Sequence, residues 1–509
     1  MLRKFLMQVV LILFLLPNLA SAEDVIIFHT NDTHGRILNT DDNGKTIGLA
    51  EISAAVKFTK SQNKNTFWLD AGDTLHGMPR INISNGENMI PLLNQAGVDV
   101  FVPGNHDFNY GTDQLEKIAK KFKFAVLAAN VVKKSNGELL LSPYQIFQRG
   151  NIKIGVFGLA TPETAYKAAP DRVEKVKFEN PVETAQEMIK ILRPQCDILV
   201  AVMHMGLDKS SEFTSERIAA ETEGIDLIVD GHSHTELPEG LTVGETLIVQ
   251  AGSWEHYLGK VTISVEDGKI ISKKAELLDD AAVKKISPNP NKKISNSIAK
   301  IEKRNEKLFN QVLVHSDKKL SSDREIIRRS EAEIGNLCVD MIRWKTGADI
   351  AVNNNGSIRA DLPAGNVTYG DIFAMLPFEN RVRKAEVDGK TIRAMLEHSV
   401  FGYPATFGGF LSVSGMSFSF DPEKPEGQRV QDIFVGGEPL DENKIYTMAA
   451  PDFIFMGGDN YEMLKNSKVI GDFGGTRDCL IEYLNKVGLG DISLGRIQML
   501  KVVEQAKAA

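Results

Sequence analysis

The sequence predicts a two-domain α/β protein, and three observations carry that expectation. At 509 residues the chain is longer than one hydrophobic core ordinarily serves. From Val25 to about Val265, short apolar runs alternate with amphipathic segments, which is how strands and helices stacked in layers read. Near residue 280 that texture breaks: PNPNKKISNSIAKIEKRNEKLFNQVL brings prolines and then a long charged stretch suited to a helix, before apolar alternation resumes.

Taken in order, the chain opens on a leader. Arg3 and Lys4 precede an apolar run from Phe5 to Leu16 and the small residues Ala20, Ser21 and Ala22, the make-up of a secretory signal peptide over residues 1–22. The run is shorter than the roughly 20 apolar residues that span a bilayer, and no cysteine follows it for lipid attachment. The expectation is export to the periplasm, or beyond the cell, without a membrane anchor. Residues 23–279 form the expected first domain. Its strands are VIIFH, FWLD, VDVFVP, FAVLAA, IKIGVFGL, DILVAVMH, DLIVDG, TLIVQAG and KVTISV. The amphipathic stretches LAEISAAVKFTKS, MIPLLNQAG, TDQLEKIAKKF, ETAQEMIKIL and SERIAAETEG supply its helices. Residues 280–312 read as a helical linker whose charges mark a solvated face. Residues 313–509 read as a second, smaller α/β domain, with a helix at EIGNLCVDMIRWKTG and strands at ADIAVNN, FLSVSGMSFSF, RVQDIFV and IYTMAA.

With 42% hydrophobic and 25% charged residues the composition is that of a globular protein. The formal charge of −8 argues against a grip on nucleic-acid polymers, which depends on Lys and Arg, while small anions stay within reach of local cations or metals. Cys196, Cys338 and Cys479 are an odd, scattered set, so they read as buried thiols and not as a disulfide framework or a zinc site.

Five polar clusters fall at or just past strand ends: HTNDTHG with Asp32 and His34, AGDT with Asp73, GNHD with Asn105 and His106, MHMG with His204, and GHSH with His232 and His234. Any one of these residues alone is ordinarily a turn former or a helix cap. Five together at the carboxyl ends of strands, where α/β sheets gather ligands, point to one crevice. Carboxylate oxygen, amide oxygen and imidazole nitrogen form a donor set suited to Zn²⁺, Mn²⁺, Co²⁺ or Fe. The set is too large for one tetrahedral ion and fits two divalent ions, roughly 3.5–4 Å apart.

The ordered series FHTNDTHG, AGDT, GNHDF, MHMG and GHSH, followed by a second domain, resembles the two-domain 5′-nucleotidase family of calcineurin-like metallophosphoesterases. The resemblance implies a β-sandwich flanked by helices in the first domain and a smaller α/β 5′-nucleotidase domain in the second. It implies that Asp32, His34, Asp73 and His234 hold one ion and Asp73, Asn105, His204 and His232 the other, with a metal-bridging hydroxide attacking phosphorus. His106 would then face the phosphate as the catalytic histidine. VNNNGSIR, with Asn354 and Arg359, MLPFEN, with Phe378 and Asn380, and PDFIFMGGDN, with Phe453 and Asp459, resemble the family's substrate-binding segments. Two phenyl rings can sandwich a base, Asp459 can accept from ribose hydroxyls, and Arg359 can fork onto phosphate. Arg328 and Arg329 offer a further cation.

One position departs from the pattern. Where many nucleotidases of the family carry an Asp three residues after the histidine of GNH, this chain has Asn109, which can orient His106 but cannot stabilise its charged form as a carboxylate does. That form resembles the family's 2′,3′-cyclic-nucleotide phosphodiesterase and 3′-nucleotidase branch. The expected function is therefore removal of phosphate from small nucleotides, first 5′-nucleoside monophosphates. The alternatives are the cyclic and 3′ esters, a UDP-sugar hydrolase, or a nucleotide-binding protein without catalysis.

Overall fold

In a computed structural model of the protein the described residues are 22–500, apart from 169, 210 and 379. The leader, all but its last residue, lies outside them. Two six-stranded sheets form the centre of the first domain. In one, strands run in the order Lys269–Leu278, Leu258–Glu266, Glu23–Thr30, Thr66–Asp70, Val100–Phe101 and Ala125–Val126; in the other, Leu241–Val243, Thr246–Val249, Leu227–Val229, Ile198–His204, Ile152–Ala160 and Tyr144–Arg149. The four from Glu23–Thr30 to Ala125–Val126 run parallel, as do Thr246–Val249, Leu227–Val229, Ile198–His204 and Ile152–Ala160. Strands buried on both faces read as continuous apolar runs, and TFWLD and ILVAVMH are buried throughout.

The sheets pack face to face through Val25, Ile27, Leu69, Val156, Val200 and Val229. Helices cover both outer faces, so the β-sandwich flanked by helices is what forms. The helix Leu49–Gln62 buries Leu49, Ile52, Ser53 and Val56 on one face, the 3.6-residue period of its sequence. The helix Pro181–Leu192 starts at a proline behind Asn180, whose side chain accepts from the amides of Val182 and Glu183.

The charged stretch forms two helices, Asp280–Ile286 and Lys292–Phe309. Ile294, Ile298 and Ile301 bury against the first domain's core while the lysines point outward. Arg80 Nε donates to Glu302 at 2.6 Å, and Phe309 packs on Tyr369 and Phe373 of the second domain. The connection is therefore packed against both halves of the chain.

The second domain centres on a five-stranded sheet ordered Leu411–Ser414, Ile350–Asn354, Ile445–Pro451, Arg381–Asp388 and Lys468–Gly475. Helix Glu333–Thr346 lies on one face and helix Gly389–Val400 on the other. FLSVSGMSFSF, expected as one strand, is two: Gly415 breaks it with φ +74°, and Met416–Phe420 joins a separate four-stranded sheet. A Cβ at Gly415 would stand 2.0 Å from the Asp349 carbonyl oxygen, so only glycine makes that corner. The three thiols are free; Cys338 and Cys479 are buried, whereas Cys196 is only half-buried.

Candidate functional site

The five clusters leave the carboxyl ends of parallel strands and converge. Turning so sharply costs backbone strain: Asp32, His34, Asp73, His232 and His234 all have positive φ, between 48° and 78°. Non-glycine residues adopt this region seldom, and strain of this kind collects at functional sites. Gly104 has an ordinary φ of −85°; it is glycine for space, because a Cβ there would lie 2.3 Å from Asp73 Oδ1 and 2.7 Å from His204 Cε1.

Within the cluster, one oxygen of each aspartate is tied down and the other is turned inward. Asp73 Oδ1 accepts from the His106 amide at 2.8 Å, leaving Oδ2 3.2 Å from His204 Nε2 and 3.9 Å from His34 Nε2. Asp32 Oδ2 accepts from the His232 amide and from Asn31, leaving Oδ1 3.4 Å from His234 Nε2 and 3.8 Å from His204 Nε2. Two groups have donor atoms near enough to share an ion: Asp32, His34 and His234, and Asp32, Asp73 and His204. Asp32 Oδ1, Asn105 Oδ1 and His204 Nε2 are buried without any hydrogen-bond partner. Buried polar atoms seldom go unpaired; Asp32 Oδ1 and His204 Nε2, 3.8 Å apart, are near enough to share a cation, and Asn105 is in the lining of the adjoining cavity. Electrostatics agrees: burial disfavours a charged His204, yet Asp73 and Asp32 push its pKa up to about 10. The residues present therefore fit divalent metal. His232 stands beside these groups, its Nε2 2.8 Å from Glu163. That leaves Nδ1 as its remaining donor atom.

Asp107 had no role in the sequence reading. Its carboxylate accepts four backbone amides, Gly104 and Asp73 on Oδ2 and Thr74 and Leu75 on Oδ1, at 2.7–3.0 Å. It pins the loop bearing Asp73 to the loop bearing Asn105. Burial and the Asp73 carboxylate push its pKa up to about 7, against the pull of those amides.

A cavity of about 230 Å³ opens from this cluster toward the second domain. Asp73, Asn105, His106, His232 and His234 line one end; Asn354, Arg359, Phe378, Asn380, Phe453 and Asp459 line the rest. Asp32, His34 and His204 lie behind that wall, buried. Asn109 Nδ2 is 3.0 Å from His106 Nδ1. Asp459, itself at φ +51°, accepts from Asn354 Nδ2 at 2.8 Å. The Phe453 ring is backed by Gly458, where a Cβ would lie 2.4 Å from it.

The Arg328 and Arg329 pairing is corrected. Arg328 lines the cavity, but Arg329 turns away, its Nε donating to the Glu325 carbonyl. Arg324, not Arg329, joins Arg328 and Arg359 in lining the cavity. In the helix Arg324–Ile327 and its cap, positions i and i+4 share a face and i+5 does not, which DREIIRRS could have shown. Burial, with Arg359 and Arg324 near, pushes Arg328 down to about 9, and its Nε is buried without a partner. A cluster of guanidinium groups in that condition fits an anion. His76 was also missed: it lies between the domains, its ring stacked on Phe378 at 5.1 Å and on His106 at 5.7 Å.

The calcineurin-like phosphoesterase family profile matches residues 26–236, and that of the 5′-nucleotidase C-terminal domain matches residues 312–466. A 5′-nucleotidase of Vibrio parahaemolyticus is 26% identical over 87% of this chain and 86% of its own length. The trifunctional nucleotide phosphoesterase protein YfkN of Bacillus subtilis is 27% identical over 91% of this chain, which spans only 34% of that longer protein. The crystal structure of a 5′-nucleotidase precursor from Thermus thermophilus superposes with a TM-score of 0.81 at 28% identity, covering 94% of this chain and all of that one.

Proposed function

We propose that this chain, which belongs to the 5′-nucleotidase family of two-domain calcineurin-like metallophosphoesterases, is an exported phosphohydrolase that acts first on 5′-nucleoside monophosphates. As a family member it is a metal-dependent phosphoester hydrolase acting on nucleotides. The observation that carries the finer reading is the single cavity, with a metal-ready cluster and His106 at one end and arginines, Phe453 and Asp459 at the other.

Asp32, His34, Asp73 and His234 would hold one divalent ion, and Asp73, Asn105, His204 and His232 a second, whether Zn²⁺, Mn²⁺, Co²⁺ or Fe. Such a pair, when bound, activates water and polarises a phosphoryl oxygen. The chain's own residues supply the rest. Arg359, Arg328 and Arg324, all lining the cavity, receive the phosphate charge. Phe453 offers a π-face to the base, and Asp459, held by Asn354, accepts from ribose. With the Asn109 amide donating to Nδ1, His106 is a neutral imidazole that keeps its proton on Nε2, from which it can donate a hydrogen bond to charge developing on the phosphate or the leaving oxygen. The leader-like first 22 residues support export, and no helix among the described residues is long and apolar enough to cross a membrane.

Asn109 favours a second reading, hydrolysis of 2′,3′-cyclic and 3′-phosphates, because an amide at this position resembles that branch of the family. Phosphate release from AMP, 3′-AMP, 2′,3′-cyclic AMP and UDP-glucose, measured on the metal-loaded protein, separates the two. AMP should be cleaved with the highest kcat/KM; turnover of the cyclic and 3′ esters alone would reject the first reading in favour of the second.

A further inference from the structure

Glu163 belongs to neither proposed metal site. It sits between the strand Ile152–Ala160 and the short helix Thr164–Lys167, with its residue surface only 7% exposed. Its Oε2 is 2.8 Å from His232 Nε2 and 3.2 Å from Lys167 Nζ. A neutral imidazole has one N–H and one lone pair, and the bond made at one nitrogen decides which nitrogen keeps which. A carboxylate only accepts. Glu163 therefore fixes the His232 proton on Nε2 and the lone pair on Nδ1. The other end of His232 is held as well, its amide on Asp32 Oδ2 at 2.9 Å and its ring edge-on to His204 at 5.1 Å.

We propose that Glu163 is a positioning residue for the metal site that includes His232, orienting that ring as an Nδ1 donor and, through Lys167, tying it to the wall of the nucleotide cavity. The proposal rests on the metallohydrolase reading given above. A carboxylate accepting from the far nitrogen of a ligand histidine sets the tautomer and raises ligand basicity, and losing it typically costs 10–100-fold in metal affinity or activity. Lys167 and Tyr166 both line the cavity, and their helix packs against the Gly458–Asn460 turn that carries Asp459. The backbone that presents Glu163 does not depend on its side chain: its amide donates to Thr161 Oγ1, and its carbonyl accepts from the amides of Tyr166 and Lys167.

The test titrates metal-depleted wild type, Glu163→Gln and Glu163→Ala with Mn²⁺ by calorimetry, and follows turnover of AMP and of p-nitrophenyl phosphate. In Glu163→Ala one of two Mn²⁺ sites should weaken by roughly 10–100-fold. The isosteric Glu163→Gln, which keeps one accepting oxygen, should fall between it and wild type. At subsaturating Mn²⁺, kcat should drop alike on both substrates, with KM for AMP little changed. Mn²⁺ affinity in both variants equal to wild type would overturn the proposal, and so would a raised KM for AMP with metal binding intact, which would confine Glu163 to the cavity wall. Failure of the wild type itself to bind two Mn²⁺ would instead strike the metallohydrolase reading beneath it, and the proposal would fall with it.

Discussion

Replacing Asp107 by Asn removes almost no volume, yet it should be among the most damaging single changes in the first domain. Each carboxylate oxygen accepts two backbone amides, so whichever oxygen becomes the NH₂ group, two buried N–H donors lose their acceptor and face another donor. A buried donor left unsatisfied costs about 1–3 kcal/mol, so two cost about 2–6 kcal/mol. That is a large part of the roughly 5–15 kcal/mol by which a domain is stable. For a domain of this size about 2–4 °C is lost per kcal/mol, so the first-domain transition in a thermal melt followed by circular dichroism should fall by at least about 4 °C. Because the freed amides belong to the loops carrying Asp73 and Asn105, affinity for Mn²⁺ should fall as well. An Asp107→Asn protein that melts within 1 °C of wild type and binds Mn²⁺ as tightly would refute the claim that this carboxylate ties the two loops.

Glu255 combines a buried carboxyl, an Oε2 without a partner and a φ of +55°. Glu255→Gly should therefore raise stability by about 1–2 kcal/mol from the left-handed backbone alone, read as a higher Tm, and an unchanged or lower Tm would count against strain there. Burial, then Asp41, Asp70 and Glu51, holds the folded pKa of Glu255 well above 4.5. The stability linked to its proton is thus present below that value and lost as pH rises, so the Tm advantage of Glu255→Gln over wild type should widen from pH 5 to pH 8. Phe453→Ala should raise KM for AMP by roughly 5- to 150-fold, the worth of about 1–3 kcal/mol of stacking. An equal loss on p-nitrophenyl phosphate would remove the stacking role. Arg324→Ala should raise KM for AMP, whereas Arg329→Ala should leave steady-state kinetics as they are; the reverse pattern would contradict the side-chain placement.

The residues brought to the cluster were legible because each one closes a strand that announces itself as an apolar run, and the carboxyl ends of parallel strands meet. What stayed illegible depended on direction and on pairing distant in sequence. Asp107 lies beside His106, but sequence adjacency does not tell which way a side chain leaves a tight turn, and its partners at Asp73–Leu75 come from another strand. Glu163 and His232 are brought together only by the parallel pairing of Ile152–Ala160 with Ile198–His204 and of that strand with Leu227–Val229. The left-handed backbones of Asp32, His34 and His234 leave no mark in composition, since these residues also occur in ordinary turns. Arg324 could have been found, because helical spacing from Arg328 selects it and rejects Arg329. The strand Lys269–Leu278 leaves a weak mark because KIISKKAELL, on a sheet edge, mixes charges into a run that buries only Ala275.

The central claim, two divalent ions shared across Asp73, is tested most directly by counting metal against turnover. Wild type and Asp73→Asn would be stripped with chelator and reloaded with Mn²⁺, with bound ions measured by elemental mass spectrometry and phosphate release from AMP measured on the same samples. Two ions per wild-type chain, with turnover returning only as the second is taken up, and an Asp73→Asn protein that is folded but nearly inactive, is the predicted result. Full turnover after chelation or with a single ion, or an Asp73→Asn enzyme as fast as wild type, would contradict it.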